Sequence, residues 1–341
     1  MDLNQKTNIE TPTDSYVVYY QWAVDAARDQ QAIFWPAEEL GVEDDENDFR
    51  TKLTKAELHG ILTAQSILTQ YELIIGGEEL WGGRIAKLFP RPEIQRMCAC
   101  FSNVELNSHA PFYALANEVL GIATDDFYAS WKQNPILSKR IAYIRSMTES
   151  EDALKVTATL SFLEGAILFS AFGYFKGFNS NGFNLIPHFV SGIDGSAKDE
   201  NFHSIASSIL FNVCLKERKE ANLISEAYLA ELTNFINILA LTCFEHELEI
   251  INMLFEAETE DSKNRVVTKE ALISFMRDRI NIVLGRLGFP PLFAEEKSVI
   301  SQWFYDQISS VKIPDFFASS QIQYSKKWNK NKLRFMENVH V

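Results

Sequence analysis

Glycine and proline are scarce, at 15 and 10 of 341 residues, well under the roughly 12% the two average together. A chain so poor in turn formers is not a β-sandwich or a propeller. With 46% hydrophobic residues it is not disordered either. Positive charge is also short: 32 Lys and Arg face 46 Asp and Glu, a net charge of −14. No domain-wide positive field meets phosphates, so nucleic-acid binding is not expected. The four cysteines, Cys98, Cys100, Cys214 and Cys243, form no CxxC pair and fit a reduced, cytoplasmic chain. The opening MDLNQKTNIETPTDS lacks the pattern of a secretory signal. No run of 18 apolar residues appears, so no membrane span is expected.

What is present is helical periodicity. Residues 16–34 repeat apolar positions at helical spacing and end in Phe34-Trp35-Pro36. The acidic connector 42–48, VEDDEND, reads as a solvated loop. A long helix is expected over 54–80, opened by a capping box of Thr54 and Glu57. Another starts at Pro92 and runs to about Leu120, where Gly121 is a stop signal. Shorter pieces follow near 124–147. Residues 149–176 read as one very apolar helix, followed by the break KGFNSNGFN. Helices are expected over 195–217, 223–257, 268–286 and 295–309. There is no fixed repeat and no βαβ alternation. Although length alone points to about two domains, the pattern is one all-α domain over 16–313. A polar segment, 1–15, precedes it, and a polar, basic tail, 314–341, follows.

The informative residues are acids inside apolar helices, because an unpaired buried carboxylate is expensive and must be neutralised, paired or bound to metal. Glu164 lies within Phe162-Leu163-Glu164-Gly165-Ala166-Ile167-Leu168, and Glu72 within Tyr71-Glu72-Leu73-Ile74. Glu200 and His203 are three apart, and Glu105 and His109 four apart, so each pair can share a helix face. Four Glu and two His on four helices match the carboxylate-bridged dimetal site of ferritin-like bundles. A lone ExxH is weak; the four elements together on long helices are not. Such an oxygen-rich donor set with two nitrogens suits iron or manganese better than zinc or copper.

On these residues the sequence resembles the small, radical-generating subunit of class I ribonucleotide reductase, over about residues 15–310. Phe34-Trp35-Pro36-Ala37-Glu38-Glu39 is similar to the family's Phe-Trp-x-Pro-Glu-Glu segment. His109-Ala110-Pro111-Phe112-Tyr113 is similar to its ligand-histidine segment, and Asp199-Glu200-x-x-His203 to its Asp-Glu-x-x-His motif. The resemblance implies a ferritin-like bundle with a dimetal site held by Glu72, Glu105, His109, Glu164, Glu200 and His203. Oxygen or a reduced oxygen species activates the metals. The one-electron oxidant rests on the metals or on Tyr113 and travels through Asp199 and Trp35. A tail tyrosine, Tyr324 with Trp328 as its rival, completes the relay to a large catalytic subunit. A homodimer is implied as well.

Two departures matter. Glu72 stands where the family usually has Asp, a replacement known in branches that use manganese, alone or with iron, so manganese is favoured. Glu105 and His109 are also one residue further apart than the family's Glu-x-x-His. Anchoring on Glu105 would put Ser108 and Phe112 in the histidine and tyrosine places. Anchoring on His109 gives Tyr113, and an inserted residue can be absorbed as a π-bulge. The second register is preferred because serine poorly replaces a ligand imidazole. A ferritin-like two-electron oxidase of a small molecule and a non-enzymatic helical scaffold are the competing readings. Glu245-His246-Glu247, His59, His188 and the glycine pairs 76–77 and 82–83 read as structural. The basic run 326–332 reads as a solvated tail.

Overall fold

The computed structural model describes residues 5–76, 79–294 and 298–309, with side chains for all of these except 70, 73–75 and 306–309. The tail from 314 and Gly77 lie outside them. Among the described residues there is no strand. The helices are α1 (Gln21–Ile33), α2 (Glu46–Thr51), α3 (Lys55–Gly76), α4 (Ala86–Leu88), α5 (Pro92–Val104), α6 (Ala110–Leu120), α7 (Asp125–Ala129), α8 (Pro135–Thr148), α9 (Ala153–Gly165), α10 (Phe169–Lys176), α11 (Pro187–Glu220), α12 (Glu226–Leu254), α13 (Lys269–Arg286) and α14 (Val299–Ser309). The bundle is centred on α9, where every residue except Lys155 is buried. The long helix α11 packs most extensively against it.

Local chemistry sets the boundaries. The Thr54/Glu57 capping box opens α3: the Glu57 N–H donates to Thr54 Oγ1 at 3.1 Å, and the Thr54 N–H to Glu57 Oε2 at 2.8 Å. Gly121 ends α6 at φ +74°, a conformation that favours glycine. Helix α3 is described as far as Gly76, and residues 79–80, the expected end of the helix, form a turn.

Two expectations are corrected. Residues 149–176 are not one helix, because the chain breaks at 166–168 with Leu168 at φ +80°. The apolar pattern runs through the break and so conceals it. One freed carbonyl, Gly165 O, accepts from Arg279 Nε at 2.8 Å. The acidic connector is also not simply solvated. Asp45 and Asp48 are buried. Asp45 Oδ2 accepts from the Phe189 N–H at 2.7 Å and Asp48 Oδ2 from the Ile186 N–H at 3.1 Å. They cap α11, which therefore starts at Pro187 rather than near 195. Two segments, Ala153–Asn179 and α12, do reach membrane-span hydropathy over 18 residues; the first is wholly buried in the bundle.

Candidate metal centre

Six buried side chains from the ligand-bearing helices meet in the core. Glu72 comes from α3, Glu164 from α9, and Glu200 and His203 from α11. Glu105 and His109 sit at the two ends of a five-residue π turn joining α5 to α6. That wide turn absorbs the extra residue between them. It sends the His109 imidazole inward, while Ser108 Oγ donates to the Trp35 carbonyl. His109 Nδ1 lies 2.8 Å from Glu105, 3.2 Å from Glu72 and 3.3 Å from Glu200. His203 Nδ1 lies 2.8 Å from Glu105, 3.5 Å from Glu164 and 3.8 Å from Glu200.

Two four-residue groups result, each with one donor atom per residue and all donors within 4.8 Å: Glu72, Glu105, His109 and Glu200; and Glu105, Glu164, Glu200 and His203. Glu105 and Glu200 belong to both.

The electrostatics fit two cations. Burial, then the charge of Glu105, pushes Glu72 and Glu200 well above the ordinary carboxylate range. Burial lifts Glu164 to about 8. Glu105 is the exception: burial pushes it up, but the His109 charge and hydrogen bond win and hold it far down. His109 is raised in turn, because Glu105 and Glu72 outweigh the effect of burial. The metal-free cluster therefore keeps its charge low by holding protons. Glu72 Oε1, Glu164 Oε2 and both Glu200 oxygens are buried without a hydrogen-bond partner, and Glu105 Oε1 and His203 Nδ1, 2.8 Å apart, face each other as two acceptors when the His203 proton sits on Nε2 toward Gln30. Unmet buried ligand atoms of this kind are what a cation satisfies and an apolar core does not.

Outer partners fix both imidazoles. His109 Nε2 donates to Asp199 Oδ2 at 3.1 Å, and the Trp35 Nε1–H donates to the same oxygen at 2.9 Å. Gln30 Nε2 donates to Asp199 Oδ1 at 3.0 Å, so Gln30 Oε1 turns to His203 Nε2 at 2.9 Å. His203 thus carries a proton on Nε2 and aims Nδ1 at the carboxylates. The Trp35 ring, 3% exposed, stacks on His109 at 5.5 Å. Tyr113 is fully buried, with the Ser196 hydroxyl as the polar neighbour of its phenol. Burial, then the charge of Glu72, pushes its phenol well up.

Tyr324 and Trp328 lie outside the described residues. Glu247 belongs elsewhere: it pairs with buried Arg140 at 2.6 Å. His246 is pushed down to about 4, by burial and then by Arg140. His59 and His188 bond to the backbone carbonyls of Met253 and Leu40. Sequence reasoning missed Gln30, whose only signal is a polar side chain on the buried, alanine-rich face of α1. It also missed Trp81, whose indole N–H donates to Glu164 Oε1 across 83 residues of sequence, with no local pattern to mark it.

Residues 14–299 match the family model described as ribonucleotide reductase, small chain. A protein named as a probable ribonucleoside-diphosphate reductase small subunit, from Invertebrate iridescent virus 3, is 22% identical over 311 residues, covering 86% of this chain and 78% of that protein. The dimanganese(II) NrdF of Streptococcus sanguinis superposes with a TM-score of 0.74 at 19% identity, over 87% of this chain and 99% of that one. The ribonucleotide reductase R2 subunit of Clostridium botulinum gives 0.69 at 20%, over 85% and 88%. At these identities the two structures speak for the fold.

Proposed function

The chain belongs to the small-chain family of ribonucleotide reductase, class I, and on that premise we propose that its buried cluster holds two metal ions and supplies a one-electron oxidant to a separate large catalytic subunit. The observation that carries this reading is the pair of four-residue groups sharing Glu105 and Glu200. Glu105 and Glu200 would bridge, with Glu72 and His109 completing one position and Glu164 and His203 the other. The donor set suits manganese or iron. Glu72 favours manganese, and a dimanganese neighbour supports that choice. When bound, the pair supplies the capacity to be oxidised by oxygen or a reduced oxygen species and then to withdraw one electron from a nearby side chain.

The chain's own residues handle the electron and its proton. Asp199 Oδ2 accepts from both His109 and Trp35, linking the cluster to an oxidisable indole through one atom. An indole that has lost an electron becomes acidic at Nε1, and Asp199 is placed to take that proton. Gln30 holds the other Asp199 oxygen and keeps the carboxylate from rotating. Near-complete burial of Trp35 and Tyr113 keeps water from the oxidised side chains. Tyr113, fully buried within the field of Glu72 and His109, is the candidate resting place for the radical.

Outside the described residues, the tail 314–341 docks the catalytic subunit, with Tyr324 as its candidate relay. Two copies of the chain form a homodimer, in the cytoplasm. The partner reduces ribonucleoside diphosphates or triphosphates. A two-electron oxidase of a small molecule is the weaker reading, because it has no use for the Trp35–Asp199 link. The test is ribonucleotide reduction with the matching catalytic subunit. Wild type turns over, and Trp35→Phe keeps two metals but is inactive; normal turnover by that variant would remove the relay.

A further inference from the structure

We propose that Trp81 is a positioning residue that holds Glu164 as a one-oxygen ligand on the His203 side of the centre. The proposal rests on the reading that the cluster binds two metals. Trp81 is fully buried and opens a second five-residue π turn, Trp81–Ile85, between α3 and α5. Its indole N–H donates to Glu164 Oε1. The other oxygen, Glu164 Oε2, is buried, lacks a hydrogen-bond partner and lies in the group with Glu105, Glu200 and His203. One carboxylate oxygen is thus taken by the indole, and one is left for a cation.

The same ring meets His203 edge-on at 5.9 Å and Phe101 at 4.9 Å, while Phe101 stacks on His203 at 4.2 Å. Trp81 and Phe101 therefore wall in the imidazole as well. The two halves of the centre differ in kind. On the His109 side a carboxylate, Asp199, backs the imidazole. On the His203 side a neutral indole orients the ligand carboxylate, and a neutral amide, Gln30, backs the histidine. Groups that orient ligands in this way are commonly worth about 10–100-fold in metal affinity.

The test titrates Mn(II) into the full-length protein by calorimetry. Trp81→Phe keeps an aromatic ring and loses the donor; Trp81→His keeps a ring N–H in less volume. Wild type should take two equivalents. Trp81→Phe should hold the first within about twofold of wild type and bind the second about 10–100-fold more weakly. Trp81→His should recover most of that loss. Wild-type affinities in Trp81→Phe, or weaker binding by Trp81→His than by Trp81→Phe, would overturn the proposal, the latter because the ring would then act only as filler. If wild type itself fails to bind two equivalents, the metal reading fails instead. Should Trp81→Phe not fold, the indole N–H resonance of wild-type Trp81 decides. It should shift as the second equivalent of diamagnetic zinc binds, and an unmoved resonance overturns the proposal.

Discussion

Replacing Gly195 by alanine tests the packing that seats Trp35. Gly195 lies on α11, one turn before Asp199. A Cβ there would stand 3.0 Å from Trp35 Cε2 and 3.2 Å from both Cζ2 and Nε1. The indole has little freedom to yield, since its Nε1 donates to Asp199 Oδ2 at 2.9 Å and its face lies on His109. Alanine gains about 1 kcal/mol of helix propensity over glycine, while overpacking costs about 1–3 kcal/mol. The net loss of stability is therefore about 0–2 kcal/mol, a change of no more than a few degrees in Tm. Function should suffer more than stability. Misplacing a reacting group by 1 Å can cost about 10²-fold, so a retreat of a few tenths of an ångström implies a loss of about fivefold. Turnover with the catalytic subunit, metal content and Tm are measured together. Lower turnover with two metals retained is expected, and in the Trp35→Phe background, where the smaller ring relieves the crowding, Gly195→Ala should cost no stability. Wild-type turnover in Gly195→Ala, or loss of metal, would refute the reasoning.

Tyr113→Phe, followed by electron paramagnetic resonance and turnover, should lose activity if the oxidant rests on the phenol and keep it if it rests on the metals; the full burial of Tyr113 within the field of Glu72 and His109 leads us to expect loss. The metal-free fold should weaken as pH rises from about 5 to about 8. Glu164 moves from an ordinary 4.5 to about 8, and Glu72 and Glu200 are also raised, so the folded state holds extra protons whose stabilisation is lost as pH climbs. Glu105, held low, acts only below about pH 4.5, outside this window, and His109, held high by Glu105 and Glu72, adds to the trend. Mn(II) replaces those protons, so the Tm gap between loaded and metal-free protein should be wider at pH 8 than at pH 6, and a constant gap would contradict the proton count. Asp45→Ala removes a cap of α11 and should cost about 1 kcal/mol by chemical denaturation, with metal stoichiometry unchanged.

The candidate site was legible because burying acids is costly: Glu72 and Glu164 in apolar surroundings, and the Glu105/His109 and Glu200/His203 pairs, announce a shared purpose before any coordinates. The long helices were legible for a similar reason, since caps such as Thr54/Glu57 leave a local mark. What stayed hidden depends on distant partners or on backbone detail. Gln30 joins Asp199 and His203, 169 and 173 residues away, and nothing in its neighbours announces that role. The break after Gly165 leaves no trace in an unbroken apolar pattern. Asp45 and Asp48 look like any acidic loop until α11 begins above them. The spacing of Glu105 and His109 left two registers; ligand chemistry favoured His109 over Ser108, and the π turn shows how the backbone turns His109 inward.

The central claim is that one cluster holds two bridged metals. Anomalous diffraction from Mn(II)-loaded crystals tests it most directly. The account expects two peaks about 3.5–4 Å apart, one beside Glu72 and His109 and the other beside Glu164 and His203, with Glu105 and Glu200 between them. A single peak, or peaks away from these six residues, would contradict it.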